Sequence, residues 1–163
     1  MEEGANLQGL APIIDARARI LILGSFPSTA SLAAQQYYAH KQNQFWKVLG
    51  ALLNLPLPAM DYAVRRAAVQ TAGLAIWDVF SACAREGSLD AAIRAGQLND
   101  FSRLRKSAPA LRRVCFNGLT AGRFAPTLAA LGYETLILPS TSPANARWSF
   151  VRKLAAWQKG LDV

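Results

Sequence analysis

Four short apolar runs alternate with stretches whose apolar residues recur every three to four positions, the pattern of strands and amphipathic helices taken in turn. The runs are Ala18–Leu23, Leu74–Phe80, Arg113–Phe116 and Thr135–Leu138. Each is too short for a helix and apolar on successive residues, as in a parallel strand covered on both faces. Helical spacing predicts a helix over Asn43–Leu53, with Phe45, Val48, Leu49, Leu52 and Leu53 on one face. A second helix carries Met60, Val64, Ala67, Ala68 and Thr71, with Arg65 and Arg66 outside and Gly73 in the left-handed position that ends it. Cys83–Asp90 is predicted to be a polar loop, followed by a short helical stretch to Ala95. Asn99 or Asp100 caps a helix through Ser107, which Pro109 stops. Asn117-Gly118 turns the third strand into a helix bearing Leu119, Phe124, Leu128 and Leu131, where Pro126 marks a kink or a late start. A last helix spans about Asn145 to Lys159, with Trp148, Val151 and Ala155 inward and Arg152, Lys153 and Lys159 outward. Residues 1–16 form a lead-in whose Leu10, Ile13 and Ile14 pack under the sheet.

Strand–helix alternation predicts an α/β fold with a parallel sheet covered on both faces. Ligands of such sheets bind beyond the carboxyl ends of the strands. Three of those ends carry glycine or small polar turns: Gly24-Ser25, Asn117-Gly118 and Ser140-Thr141-Ser142. They are expected to lie side by side. The stretch Gly24–Trp46 organises the rest, joining a strand end, a glycine turn, the aromatics Tyr37 and Tyr38, the sole histidine His40, and Asn43 at a helix start.

Length and composition narrow the picture. At 163 residues, with 52% hydrophobic and 17% charged residues, one folded domain over 1–163 is expected. No apolar run reaches the roughly 20 residues that span a bilayer, so no membrane association is predicted. The acidic start Met1-Glu2-Glu3 fits neither a secretory signal nor a transit peptide, and the distant Cys83 and Cys115 read as buried thiols in a reducing compartment. A cytoplasmic protein is expected. The net charge of +8 is uneven: residues 1–100 hold eight basic and eight acidic residues, whereas residues 101–163 hold ten Lys/Arg against Glu134 and Asp162. A basic end on a neutral remainder suggests a polyanion across that end, against the alternative of a basic but inert surface.

The individual motifs are ambiguous. The turn at Gly24–Ser28 has neither the GxGxxG of dinucleotide sites nor the Gly-Lys-Ser/Thr of a phosphate loop. Asn43 reads as a helix cap or as an amide that holds a water or a base edge. It orients a water by donating and accepting but takes no proton near neutral pH. Tyr37 and Tyr38 are packing aromatics or a stacking surface for a base. Asp78 reads as a capping or salt-bridging carboxylate, and Ser140–Ser142 as turn residues or a phosphate-contacting cluster.

Four blocks together resemble the uracil-DNA glycosylase superfamily, most nearly its hypoxanthine (deoxyinosine) DNA glycosylase branch, and are related to the mismatch-specific uracil/thymine enzymes. They are GSFPS at 24–28, YYAHKQNQFWKVLG at 37–50, RVCFNG at 113–118 and LPSTSPANARW at 138–148, with a weaker fifth, GLAIWDVFSACAREGSLD, at 73–90. The resemblance implies a three-layer α/β/α sandwich around a four-stranded parallel sheet. It also implies removal of a deaminated base, hypoxanthine or uracil, from DNA by hydrolysis of its N-glycosidic bond, without metal or cofactor, by a monomer. In most of the family the third residue of the first motif handles the attacking water. Phe26 stands there, and the hypoxanthine-type pattern instead places the water-positioning amide at Asn43, with Ser25 beside it in the catalytic set. The same resemblance assigns base contacts to Gly24, Phe26, Pro27, Tyr38, His40 and Asn117, Tyr38 stacking on the flipped base. Ser140, Thr141, Ser142, Ala144, Asn145 and Arg147 match the motif that enters the minor groove. Its wedge position falls on the small Ala144, so wedging is expected to pass to Asn145 or Arg147. Two rivals stay open at this point: a non-catalytic DNA-binding domain on the same scaffold, and a nucleoside hydrolase.

Overall fold

The computed structural model describes residues 6–163. Four strands form the parallel sheet: β2 (Ile20–Gly24), β3 (Leu74–Asp78), β6 (Arg113–Asn117) and β7 (Glu134–Leu138), in the order β3-β2-β6-β7. The register sets Ile20 beside Leu74 and Arg113, and Arg113 beside Glu134, so the carboxyl ends finish at one level. The chain leaves β2 toward β3, then returns to the other side of β2 for β6. The order therefore reverses between β2 and β6, and a crevice opens beyond Gly24 and Asn117.

Successive strand residues serve opposite faces, which explains their unbroken apolarity. Helix α1 (Thr29–Ala34) follows the turn after β2. Ile20, Ile22, Leu74 and Ile76 pack under helices α2 (Phe45–Leu53), α3 (Tyr62–Thr71) and α7 (Phe150–Leu161), with Phe45, Leu49, Val69 and Trp157 fully buried. Leu21, Leu23, Ala75 and Trp77 pack on the other face with Leu104, Ala121 and Leu128, from α4 (Leu104–Ser107), α5 (Leu119–Gly122) and α6 (Ala125–Ala130). Burying each such side chain contributes about 1.5–3 kcal/mol. The result is the expected three-layer α/β/α sandwich. The lead-in pairs at the edge of β3, Ile13 and Ile76 exchanging two 2.9 Å backbone bonds, with Ile13 buried. Of that lead-in, residues 1–5 lie outside the described residues.

Several expectations need correction. The expected loop is present over 85–89 and a single 3-10 turn over Asp90–Ala92, but both are flanked by strands that were not expected. These strands, β4 (Phe80–Ala84) and β5 (Arg94–Leu98), join β1 (Asn6–Gln8) in a second, antiparallel sheet of order β1-β4-β5. All five β5 residues are exposed, so backbone pairing rather than an apolar pattern holds that strand. The strand predicted over Leu74–Phe80 stops at Asp78, and Phe80 already belongs to β4. In α3 the inward face is Tyr62, Ala68 and Val69, with Arg65 half-buried over the Trp46 ring at 5.0 Å, while Val64 is exposed. The last helix begins at Phe150, capped by Ser149, whose Oγ accepts from Arg152 N. Its buried stripe is Lys153, Trp157 and Leu161, so Val151 and Ala155 face outward and Lys153 inward. Pro126 marks a late start, in the first turn of α6, and Leu119 is exposed rather than packed.

Candidate active site

A cavity of about 860 Å³ occupies the crevice at the reversal point. The β2 turn, the segment before α2, the β6 tip and the loop after β7 all reach it. Gly24, Ser25, Phe26, Pro27, Tyr38, His40, Asn43 and Asn117 border it, as do Ser140, Thr141, Ser142, Ala144 and Asn145. Arg147 alone among the sequence-derived site residues does not.

Gly24 ends β2 where a side chain has no room. A Cβ there would stand 2.6 Å from Asp78 Oδ1 and 3.0 Å from the Tyr38 hydroxyl. Ser25 is nearly buried, and its Oγ donates to Asp90 Oδ1 at 2.6 Å. Phe26 is buried under the Arg85 guanidinium, 5.3 Å from the ring centre, and Arg85 also donates to Pro27 O. Thr29 N donates to Ser88 Oγ at 3.0 Å, so the 85–90 loop is latched onto the β2 turn.

The two tyrosines have different fates. Tyr37 is buried, its hydroxyl donating to the carbonyls of Leu10 and Ala11. Tyr38 adopts a left-handed backbone (φ +55°), a conformation unusual for an aromatic residue, and its ring stacks on Phe45 at 4.0 Å. One face of that ring is thereby occupied. Its hydroxyl is buried without a hydrogen-bond partner, and burial raises its pKa, with Asp78 adding to the effect. His40 is exposed, its Nδ1 accepting from Gln42 N, while its carbonyl accepts from Asn43 N at 2.9 Å. Asn43 Oδ1 accepts from Phe45 N at 2.9 Å. The asparagine therefore does clamp the helix start, and its Nδ2 makes no hydrogen bond among the described residues.

Asn117 and Thr141 are internal struts. Asn117 Nδ2 donates to Thr141 Oγ1 and Asn117 Oδ1 accepts from Thr141 N, both at 3.0 Å, and Thr141 is fully buried. Thr141 O accepts from Gln44 N, and Gln44 Oε1 accepts from the buried Lys153 Nζ, each at 3.0 Å. Desolvation lowers the Lys153 pKa. The rest of the loop is tied to itself: Asn145 Nδ2 donates to Ser140 O, Ser142 N to Ser140 Oγ, and Ala144 N to Ser142 Oγ.

Sequence reasoning missed three features. Asp78 is neither a capping nor a salt-bridging carboxylate: it is 4% exposed, borders the cavity, and its Oδ2 has no partner. Burial, reinforced by Asp90 and opposed by Arg85, pushes its carboxyl up to about 7. The signal in the sequence is a carboxylate closing the apolar run 74–77. Next, Leu119 (80% exposed) and Leu89 (62%) stand at the cavity, Leu119 after the β6 tip and Leu89 in the latched loop. Both leucines are exposed beside the mouth, whereas Asn145 is tied to its own loop. Finally, the basic surplus is dispersed. Arg113 binds Glu134 and Gly160 O at the amino end of β6, Arg112 pairs with Asp162, and Arg105 covers Tyr133. Arg152, over the cavity-lining Trp148 at 4.3 Å, remains on the cavity side.

The family model described as the Uracil DNA glycosylase superfamily matches residues 11–160. The chain is 42% identical over 151 residues to a hypoxanthine DNA glycosylase of Methanosarcina acetivorans, covering 93% of this chain and 95% of that one. It is 43% identical over 150 residues to the hypoxanthine DNA glycosylase of Methanosarcina barkeri, covering 92% and 94%. A solution NMR structure from M. acetivorans, described as a candidate uracil DNA glycosylase, superposes with a TM-score of 0.86 at 40% identity. It covers 98% of this chain and 100% of its own.

Proposed function

Because the chain belongs to the uracil-DNA glycosylase superfamily, we propose that it extrudes a deaminated base, hypoxanthine or uracil, and leaves an abasic site. The chain is a DNA glycosylase. The observation that carries the reading is the gathering of Gly24, Tyr38, Asn43 and the 140–145 loop around one cavity roomy enough to admit a nucleobase with part of its strand. The relatives' hypoxanthine activity directs the substrate assignment to that base first.

A deaminated base pairs poorly, so rotating it out of the stack costs less than rotating a correct one. Leu119 and Leu89 hold the gap at the mouth. Ser140, Ser142 and Arg147 contact the strand backbone, while Asn117 and Thr141 keep the loop in place. The base slides against the free face of Tyr38, whose other face is fixed by Phe45, and backbone amides near Ser25 and Phe26 meet its edge. As the N-glycosidic bond lengthens, the sugar gains oxocarbenium character. Asn43, its Oδ1 pinned by the helix start, directs a water to the sugar carbon through its free amide hydrogens. An amide takes up no proton, so the base departs as an anion that takes the proton the water loses, and the rate rests on positioning and on stabilising that departing base. No lysine borders the cavity among the described residues, which supports water rather than an amine as nucleophile. We read the enzyme as a monomer, since every group invoked comes from one chain, and as cytoplasmic, since Cys83 and Cys115 are free thiols.

Single-turnover excision on duplexes carrying one hypoxanthine, uracil or xanthine tests the reading. Strand scission after alkali is expected for hypoxanthine, with a loss of about 100-fold or more in Asn43→Ala. Undiminished excision by that variant removes Asn43 from its role. Binding without scission in the wild type refutes the reading itself.

A further inference from the structure

Asp78 is a buried acid without a partner. It ends β3 beside Gly24, borders the cavity, and leaves Oδ2 with neither solvent nor a hydrogen bond. Buried polar groups are almost always satisfied, so a carboxyl on the cavity wall with one oxygen orphaned marks a group that a ligand atom can complete. The Tyr38 hydroxyl, a polar group on the neighbouring segment, is orphaned as well. The space is kept by the glycine, because any side chain at residue 24 would collide with both residues.

We propose that Asp78 binds the carbonyl edge of the extruded base in its protonated form, which makes base recognition by this enzyme proton-dependent. The inference rests on the glycosylase reading and concerns the same cavity. Deamination replaces an exocyclic amino group, a donor, with a carbonyl, an acceptor. A carboxylate only accepts, so its lone pairs would oppose those of the new carbonyl in a dry site. A carboxylic acid donates to it.

The surroundings favour the neutral acid. From the 85–90 loop come Asp90, which repels a second negative charge, and Arg85, the one cation acting on the group. Arg85 directs Nε to Gly87 O and Nη2 to Pro27 O, and its buried Nη1 makes no hydrogen bond to Asp78 or to any other group among the described residues. Tyr38 faces Asp78 across Gly24, Tyr37 lies behind, and Asn99 donates only to the Asp78 backbone carbonyl. Burial outweighs the cation, and the carboxyl sits at about 7 instead of 3.8.

The test is single-turnover excision of hypoxanthine from duplex DNA between pH 5.5 and 9.5, for wild type and Asp78→Asn. For the wild type, kobs/K½ is expected to fall about tenfold per pH unit above about 7, as one required proton is lost. Asparagine donates at every pH, so Asp78→Asn is expected to lose that alkaline limb, with a pH-independent plateau that differs from the wild-type rate. An unchanged limb in the variant, or a variant that melts like wild type but excises nothing at any pH, overturns the inference while leaving the glycosylase reading intact. Absence of excision by the wild type overturns both. Should the variant not fold, carbon-13 titration of the wild-type Asp78 carboxyl decides. A midpoint near 7 that rises when hypoxanthine duplex binds is expected, and a midpoint below 5 overturns the proposal.

Discussion

Replacing Asp78 by asparagine should stabilise the fold, and by more as the pH rises. The carboxyl titrates at about 7 in the folded protein against 3.8 when free. A raised carboxyl pKa means that the folded state holds the proton more tightly than the unfolded chain. Below pH 3.8 both states are protonated and burial carries no ionic penalty. Between 3.8 and 7 the unfolded chain ionises while the native state does not, and stability drops by about 1.4 kcal/mol per pH unit. Above 7 both are ionised and the penalty levels off at about 4 kcal/mol, a large fraction of the 5–15 kcal/mol typical of a domain. Asparagine keeps the shape without the titration. Urea denaturation of both proteins from pH 5 to pH 8 should therefore show the advantage of Asp78→Asn growing by about 3 kcal/mol. Parallel stability curves would refute the reasoning, because they would mean a carboxyl that ionises as readily inside the protein as outside.

Leu119→Ala should lower hypoxanthine excision from duplex DNA about tenfold, about 1.4 kcal/mol of lost support for the unstacked state. Excision from a single strand should stay within about twofold, and equal losses on both substrates would remove the leucine from wedging. Gly24→Ala forces Asp78 Oδ1 and the Tyr38 hydroxyl to move, since its Cβ falls 2.6 and 3.0 Å from them. Single-turnover rates should fall at least about 100-fold, about 2.7 kcal/mol, with little change in circular dichroism. Lys153→Ala removes both a buried aliphatic stem and the bond to Gln44. A loss of about 1–3 kcal/mol is expected by urea denaturation, with a weaker affinity for DNA as the 139–145 loop loosens.

The sheet was legible because a strand buried on both faces must be apolar at every position, which Ile20–Leu23 and Leu74–Trp77 are. The second sheet was not, because β5 buries no side chain and leaves no hydrophobic signature. The inward face of α7 was misread for a related reason. Lys153 occupies an apolar stripe four residues before Trp157, and a lysine there reads as solvent-facing until Gln44 is seen to meet it. At the site, the polar turns at Gly24, Asn117 and Ser140 were found together because parallel strands of matched register bring their ends together. Asp78 escaped because one carboxylate at a strand end looks the same whether it meets water or a closed cavity. The charge of the last third pointed to a polyanion but not to where it lies, since net charge along the chain says nothing of which end of the sheet each arginine occupies.

The chain of bonds from Lys153 through Gln44 and Thr141 to Asn117 makes the start of α2 and the loop after β7 a single mechanical unit. Asn43, next to Gln44 in the chain, moves with that unit. A loop exchanged in from another member would therefore also shift Asn43, and with it the water position proposed for that amide, unless Gln44, Asn117 and Lys153 travelled with it. Grip and chemistry are coupled here by joinery, so variation in the one is paced by tolerance in the other.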